Sequence, residues 1–210
     1  TIVEHRLTTD GTKEFPYAGR GMYGGNHEED TTKRTGAYVC WSPDSKHFAL
    51  TRSDMSKIKE LWVIDVLANP RPKLEGYKYQ MPGEKEAPVE HLYIFDMENN
   101  TRKEIKTSAY KDQTIGLEYK PMMQKQRDAE YRHVVWLGDN NRFFLTRSSR
   151  DLYRIDVCSY TVGQDSIVPV IEERMNTYQE TRRLKVLGGG KEIIYQGTDN
   201  RQILWQYGYY

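Results

Sequence analysis

The chain has 210 residues, 37% of them apolar and 29% charged, and 31 Lys and Arg against 30 Asp and Glu leave a formal charge of +1. That balance carries no electrostatic footprint for nucleic acid or an anionic membrane surface. An apolar content below the usual level of about 45–50% argues against a large globular enzyme core, and no apolar stretch approaches the roughly 20 residues that a spanning helix needs. The opening residues do not read as a secretory leader, and none is expected within this segment. The missing initiator Met leads us to expect either processing or a piece of a longer protein.

In chain order, the first 35 residues show no clear period. Gly19-Arg-Gly21-Met-Tyr-Gly24 is a literal Gly-x-Gly-x-x-Gly, and Asp44 lies 20 residues beyond it. A nucleotide fingerprint needs a strand before it and a helix after it. Gly25-Asn-His-Glu-Glu-Asp30 follows instead, so a flexible loop is expected. His27 beside Glu28 and Asp30 is a weak metal candidate, and a solvated acidic loop is the expected reading.

Strand-like runs, rich in β-branched and aromatic residues, then follow at 37–41, 47–52, 61–66, 91–97, 134–137, 142–146, 152–157, 166–171, 184–187, 192–196 and 202–207. Turn-forming segments bound them: Ser-Pro-Asp-Ser, Asn-Pro, Asn-Asn, Gly-Asp-Asn-Asn, Gly-Gly-Gly and Asp-Asn. Residues 120–133 are polar on nearly every side and read as a loop or one short helix. Such a loop between sheets could also dock a partner. Gly188-Gly-Gly-Lys191 lacks the other residues of a phosphate loop and reads as a hairpin turn. The pattern is all-β.

Cys40 and Cys158 each sit in an apolar run and read as small buried hydrophobes; a mutual disulfide would need an oxidising compartment. Two cysteines and scattered histidines support no zinc site, and neither a metal nor another cofactor is expected. His47 and His91 fall in strands, where sheet packing is the expected role.

The sequence repeats. Trp41-Ser-Pro-Asp-Ser-Lys-His-Phe-Ala-Leu-Thr-Arg-Ser53 returns 95 residues later as Trp136-Leu-Gly-Asp-Asn-Asn-Arg-Phe-Phe-Leu-Thr-Arg-Ser148. Each copy is followed by a run ending in Asp, LWVID to Asp65 and LYRID to Asp156, with HLYIFD to Asp96 as a related strand. A looser copy begins at Leu187, with Phe143 mapping onto Ile193 at an offset of 50. A unit of about 45–50 residues and four short strands is the spacing of propeller blades. A blade cannot bury both its faces alone, so blades stack, which accounts for the meagre apolar content. The expectation is a β-propeller, a partial arc of about four blades of a larger ring, with approximate blades at 1–35, 36–110, 130–180 and 181–210.

WSPDSKHFALTR followed by LWVID resembles the propeller of prolyl oligopeptidase-type serine peptidases. The ordered set resembles more closely the N-terminal propeller region of dipeptidyl peptidase IV: Leu7-Thr-Thr-Asp-Gly11, Tyr77-Lys-Tyr-Gln-Met-Pro-Gly-Glu84 before Pro88-Val-Glu-His-Leu-Tyr-Ile-Phe-Asp96, and Val134-Val-Trp136 before Leu152-Tyr-Arg-Ile-Asp-Val-Cys-Ser-Tyr160. The resemblance implies an eight-bladed ring capping a C-terminal α/β-hydrolase domain, in an enzyme that removes N-terminal dipeptides and screens peptide substrates by size. That domain carries a Gly-x-Ser-x-Gly elbow and a Ser-Asp-His triad. No such elbow occurs in this sequence, so no catalytic residue is carried over. The family's paired glutamates for the substrate ammonium map onto Glu28 and Glu29, although Gly-Met-Tyr-Gly-Gly replaces the aromatic residues that precede them there. Two adjacent carboxylates suit that task through charge-assisted hydrogen bonds. The resemblance also implies a periplasmic or extracellular location and a homodimer as one candidate assembly. A binding or scaffold propeller without peptidase activity is the alternative function. The chemistry is expected beyond Tyr210.

Overall fold

The structure is a computed structural model. It describes residues 4–17, 37, 39–117, 136, 140–180, 184–187, 192–196 and 202–206. Among these, the regular elements are all strands: β1 (Cys40–Trp41), β2 (His47–Asp54), β3 (Glu60–Asp65), β4 (Lys73–Lys78), β5 (Val89–Asp96), β6 (Thr101–Ile105), β7 (Thr114–Leu117), β8 (Arg142–Ser148), β9 (Arg154–Thr161), β10 (Val168–Arg174), β11 (Leu184–Leu187), β12 (Glu192–Gln196) and β13 (Gln202–Gln206). They form four sheets, ordered β1-β2-β5-β6, β10-β9-β8-β7, β11-β12-β13 and β3-β4. The chain divides into two compact units: residues 1–38 with 52–89, and residues 39–51 with 90–210.

The larger unit is a stack of sheets. Cys40, Ala49, Leu92, Ile94 and Ile105 of the first sheet share one apolar cluster with Ile115, Leu117, Phe143, Leu145, Cys158 and Tyr160 of the second. The opposite face of the second sheet places Phe144, Val157 and Ile171 against Ile193 and Tyr195 of the third. Sandwiching β8 on both faces explains its unbroken apolar run Phe143-Phe144-Leu145, where a half-solvated strand would alternate. Burial of each such ring contributes about 1.5–3 kcal/mol. Thin cores between sheets thus replace one large core, as the low apolar content requires.

The 95-residue repeat is geometric as well as sequential. Trp41 pairs with Phe48 across β1 and β2, with ring centroids 4.9 Å apart at 56°. Trp136 pairs with Phe143 in the same way, at 5.0 Å and 53°. A third ring completes each group: Phe95 stacks on Phe48 at 4.5 Å, and Tyr160 tilts against Phe143 at 5.3 Å. The copies differ in cover, since Trp41 is 41% exposed and Trp136 only 7%.

Three expectations need correction. LWVID and LYRID are not equivalent strands. LWVID lies in β3, which among the described residues pairs only with β4 in a two-stranded ribbon, whereas Asp156 lies in β9 beside β8. HLYIFD, in β5, is the strand that follows β2 in its sheet. The expected strand at 152–157 runs instead from Arg154 to Thr161, because Leu152 adopts a φ of 58° within a tight turn. That turn repeats the one at Ser42. Ser42 N–H donates to the His47 carbonyl at 2.8 Å and its hydroxyl to Asp44 at 2.6 Å. Ser149 N–H donates to the Arg154 carbonyl at 2.9 Å and its hydroxyl to Asp151 at 2.5 Å. Finally, β4, β6 and β7 were not expected. Lys-Leu-Glu-Gly-Tyr-Lys and Thr-Arg-Lys-Glu-Ile are too charged to read as strands, and Thr-Ile-Gly-Leu is short and contains Gly.

Candidate functional site

Glu28 and Glu29, the paired carboxylates read from the sequence, lie outside the described residues, as do Gly19–Gly24, His27 and residues 120–133. The other sequence candidates resolve into structural roles. Ser42, Asp44 and His47 are neighbours, yet the Ser42 hydroxyl faces the His47 main chain, accepting from its N–H at 3.0 Å. That is turn architecture and not an activated nucleophile. His47 Nε2 stands 4.0 Å from Asp96, and His91 Nδ1 lies 2.7 Å from Glu104. Burial pushes both the Cys40 and Cys158 thiols up to about 12, so they remain protonated and inert. Leu187 and Glu192 pair on either side of residues 188–191, as a hairpin requires. No group of three potential metal ligands occurs among the described residues.

What sequence reasoning missed is a pair of buried guanidinium sites. Both arginines come from the repeated Leu-Thr-Arg-Ser, at positions 52 and 147. In the smaller unit, the fully buried Arg52 side chain lies between the rings of Phe15 and Tyr17, 3.5 and 3.7 Å from their centroids. Its Nη1 donates to Asp10 at 3.2 Å and its Nη2 to the Phe15 carbonyl at 2.5 Å. This holds residues 10–17 against the end of β2.

In the larger unit, Arg147 lies opposite Asp156 in the β8–β9 register. Arg147 Nη2 and Nε donate to Asp156 Oδ2 at 2.6 and 3.0 Å, and the Tyr110 hydroxyl donates to the same oxygen at 2.7 Å. Arg174 Nη2 stands 2.7 Å from Oδ1, at ion-pair distance but not aligned as a hydrogen bond. Arg147 Nη1 donates to the Thr107 carbonyl at 2.8 Å. Burial opposes ionisation of Asp156, but donation from Tyr110 and Arg147 together with the adjacent Arg174 charge outweighs it and lowers its pKa. Burial and the Asp156 charge push Tyr110 up to about 12. The group is therefore a carboxylate between two guanidiniums, capped by a neutral phenol. It orders the sheet and supplies neither a nucleophile nor a proton exchanger near neutral pH. A sequence signal did exist, since an arginine inside a buried strand demands a buried partner.

Antiparallel sheets packed face to face, with repeated Trp–Phe pairs, are the construction of a β-propeller region. The chain belongs to the dipeptidyl peptidase IV N-terminal region family, whose model matches residues 2–206. No curated protein matches the sequence. The chain is similar in fold to solved structures, two of which follow. One is described as a dipeptidyl aminopeptidase IV from Bacteroides ovatus, 16% identical, with a TM-score of 0.69 over 97% of this chain and 26% of that one. The other is dipeptidyl peptidase 4 from Porphyromonas gingivalis, 17% identical, with a TM-score of 0.68 over 97% of this chain and 27% of that one. The chain thus spans about a quarter of the length of these structures. Among the described residues, no helix is long and apolar enough to cross a membrane.

Proposed function

We infer that this chain is the non-catalytic propeller portion of a dipeptidyl peptidase IV-like serine exopeptidase, about four blades of an eight-bladed ring. It screens peptides by size and receives their N termini, while a C-terminal α/β-hydrolase domain of the parent chain supplies catalysis in the periplasm or outside the cell. The family match over residues 2–206 carries this reading. Glu28 and Glu29 are the proposed ammonium ligands, because adjacent carboxylates form a compact cation site. The test is the full-length parent on an X-Pro chromogenic dipeptide. Glu28→Gln and Glu29→Gln are expected to raise KM roughly tenfold or more each. An unchanged KM removes the pair from the site. Turnover by residues 1–210 alone, blocked by a serine-directed reagent, overturns the assignment. A parent that binds peptide N termini without turnover is the scaffold alternative.

The parent is also proposed to form a homodimer through β3 and β4. Trp62, Ile64 and Leu74 leave 60%, 65% and 60% of their surface exposed on one face of this ribbon. Two strands alone are marginal in water, and among the described residues no strand pairs with the outer edge of either. A second copy offers the same edge and the same apolar face, as a twofold interface requires. Ile64→Asp is expected to convert the parent to a monomer in sedimentation velocity. A parent already monomeric without the substitution refutes this assembly.

A further inference from the structure

Beyond the peptidase reading, one cleft of the larger unit has a chemistry of its own. It is an open depression of about 580 Å³ lined by Tyr110, Lys111, Ser149, Arg150, Asp151 and Arg154, with Ala109. That volume suits a small molecule. Both walls are fixed internally. On one, Gln113 Oε1 accepts from the Ala109 and Tyr110 N–H groups at 2.9 and 3.2 Å, and Gln113 Nε2 donates to the Thr107 carbonyl at 3.0 Å. On the other, the Ser149–Arg154 turn is closed by its backbone hydrogen bonds.

The charge on this lining is unbalanced. Three cations, Lys111, Arg150 and Arg154, face one carboxylate, Asp151. Asp151 is engaged inside its own turn, accepting from the Ser149 hydroxyl at 2.5 Å and the Tyr153 N–H at 3.0 Å. Arg150 is tethered to Asp112 at 3.3 Å. Among the described residues neither Lys111 nor Arg154 is within ion-pair distance of a carboxylate, although the Arg154 charge helps to hold the Asp151 carboxyl below the usual carboxylate range. The Arg154 guanidinium lies 5.7 Å from the Tyr110 ring centroid, and the Arg147 and Arg174 guanidiniums approach the same ring at 5.4 and 5.7 Å. Those two are engaged by Asp156, and Arg174 also by Glu172 at 3.4 Å, whereas Lys111 and Arg154 retain donors for a ligand. A guanidinium and an ammonium on preordered walls match the oxygens of phosphoryl or carboxylate groups.

We propose that the cleft between residues 109–111 and 149–154 binds a small, multiply charged oxyanion, with Lys111 and Arg154 as its principal ligands. The test uses the full-length parent at low ionic strength, titrated calorimetrically with pyrophosphate and, separately, with citrate. At least one probe is expected to bind at about 1 mM or tighter, and affinity is expected to fall with added salt. Arg154→Gln and Lys111→Gln are each expected to weaken binding roughly tenfold, while Lys73→Gln on the two-stranded ribbon leaves it unchanged. Pyrophosphate alone binding marks a phosphoryl ligand, and citrate alone a carboxylate. Failure of both probes overturns the proposal. So does wild-type affinity in the double variant, or equal loss in Lys73→Gln. Far-UV circular dichroism of each variant checks folding; should Arg154→Gln unfold, Lys111→Gln carries the test, since its side chain lies on the exposed rim. None of these readings depends on peptidase activity.

Discussion

Arg52 and Arg147 occupy the same place in two copies of one sequence repeat, yet they are neutralised in opposite ways. Arg147 finds its carboxylate on the adjacent strand, 9 residues away, and Asp156 is fully buried. Arg52 reaches Asp10, 42 residues away, whose side chain is 48% exposed; two aromatic rings and a main-chain carbonyl supply the rest of its environment. The repeat therefore specifies a cation at the end of a strand and leaves its partner to the surroundings. In a closed hairpin the partner is local and ionic. At the other site it is borrowed from a distant segment and is largely aromatic.

The sharpest way to break this comparison is to remove both carboxylates in turn. Asp156→Ala leaves two guanidiniums without their shared anion and is expected to cost about 3–5 kcal/mol in urea unfolding. Asp10→Ala removes a half-exposed partner and is expected to cost less than about 1 kcal/mol. Similar losses at both positions would erase the distinction.

Acid titration sharpens it further. The folded pKa of Asp156 is lowered, so its stabilisation is complete above the ordinary carboxylate pKa of about 3.9 and is lost as pH falls through the lower folded value. Asp156→Asn is expected to remove that acid dependence, measured as the unfolding midpoint against pH. Glu90 has the opposite sign. Burial raises its pKa although it accepts from the Ile115 N–H, so the folded chain favours its protonated form and loses stability as pH rises through the normal range. Glu90→Gln is expected to flatten that limb instead.

Smaller effects test the packing beside each arginine. A Cβ at Gly116 would meet Thr146 Oγ1 at 2.5 Å, next to Arg147 in β8. Gly116→Ala is expected to cost about 1–3 kcal/mol by thermal unfolding. Replacing Tyr17 with Leu keeps an apolar neighbour for Arg52 but removes one ring face, for an expected loss of about 1–2 kcal/mol. The least effect is expected from Asp44→Ala and Asp151→Ala, two exposed turn carboxylates whose loss should lower the melting midpoint by similar small amounts.

Much of the fold was legible before any coordinates. Strand periodicity and turn residues gave the all-β class, and the Trp…Leu-Thr-Arg-Ser repeat located two equivalent aromatic pairs. β4 and β6 escaped notice because an edge or ribbon strand has little buried surface and so needs little apolar sequence. LWVID deceived for a related reason: its apolar residues suit a sheet interior, yet they sit on an exposed ribbon. The second Ser-x-Asp turn at Ser149 was hidden by its different neighbours, Arg150 and Leu152 replacing Pro43 and Ser45.

By itself the sequence determined what short-range chemistry controls: strand periodicity, tight turns, the absence of a nucleophile elbow, and the position of each buried arginine. Tertiary structure decided which strands became neighbours, which carboxylate met each guanidinium, and how Lys111, Arg150 and Arg154 came to face one cleft. Those outcomes depend on residues from 9 to 46 positions apart meeting across strands and turns. A strand's own pattern states that a face must be covered; only the packed chain says by what.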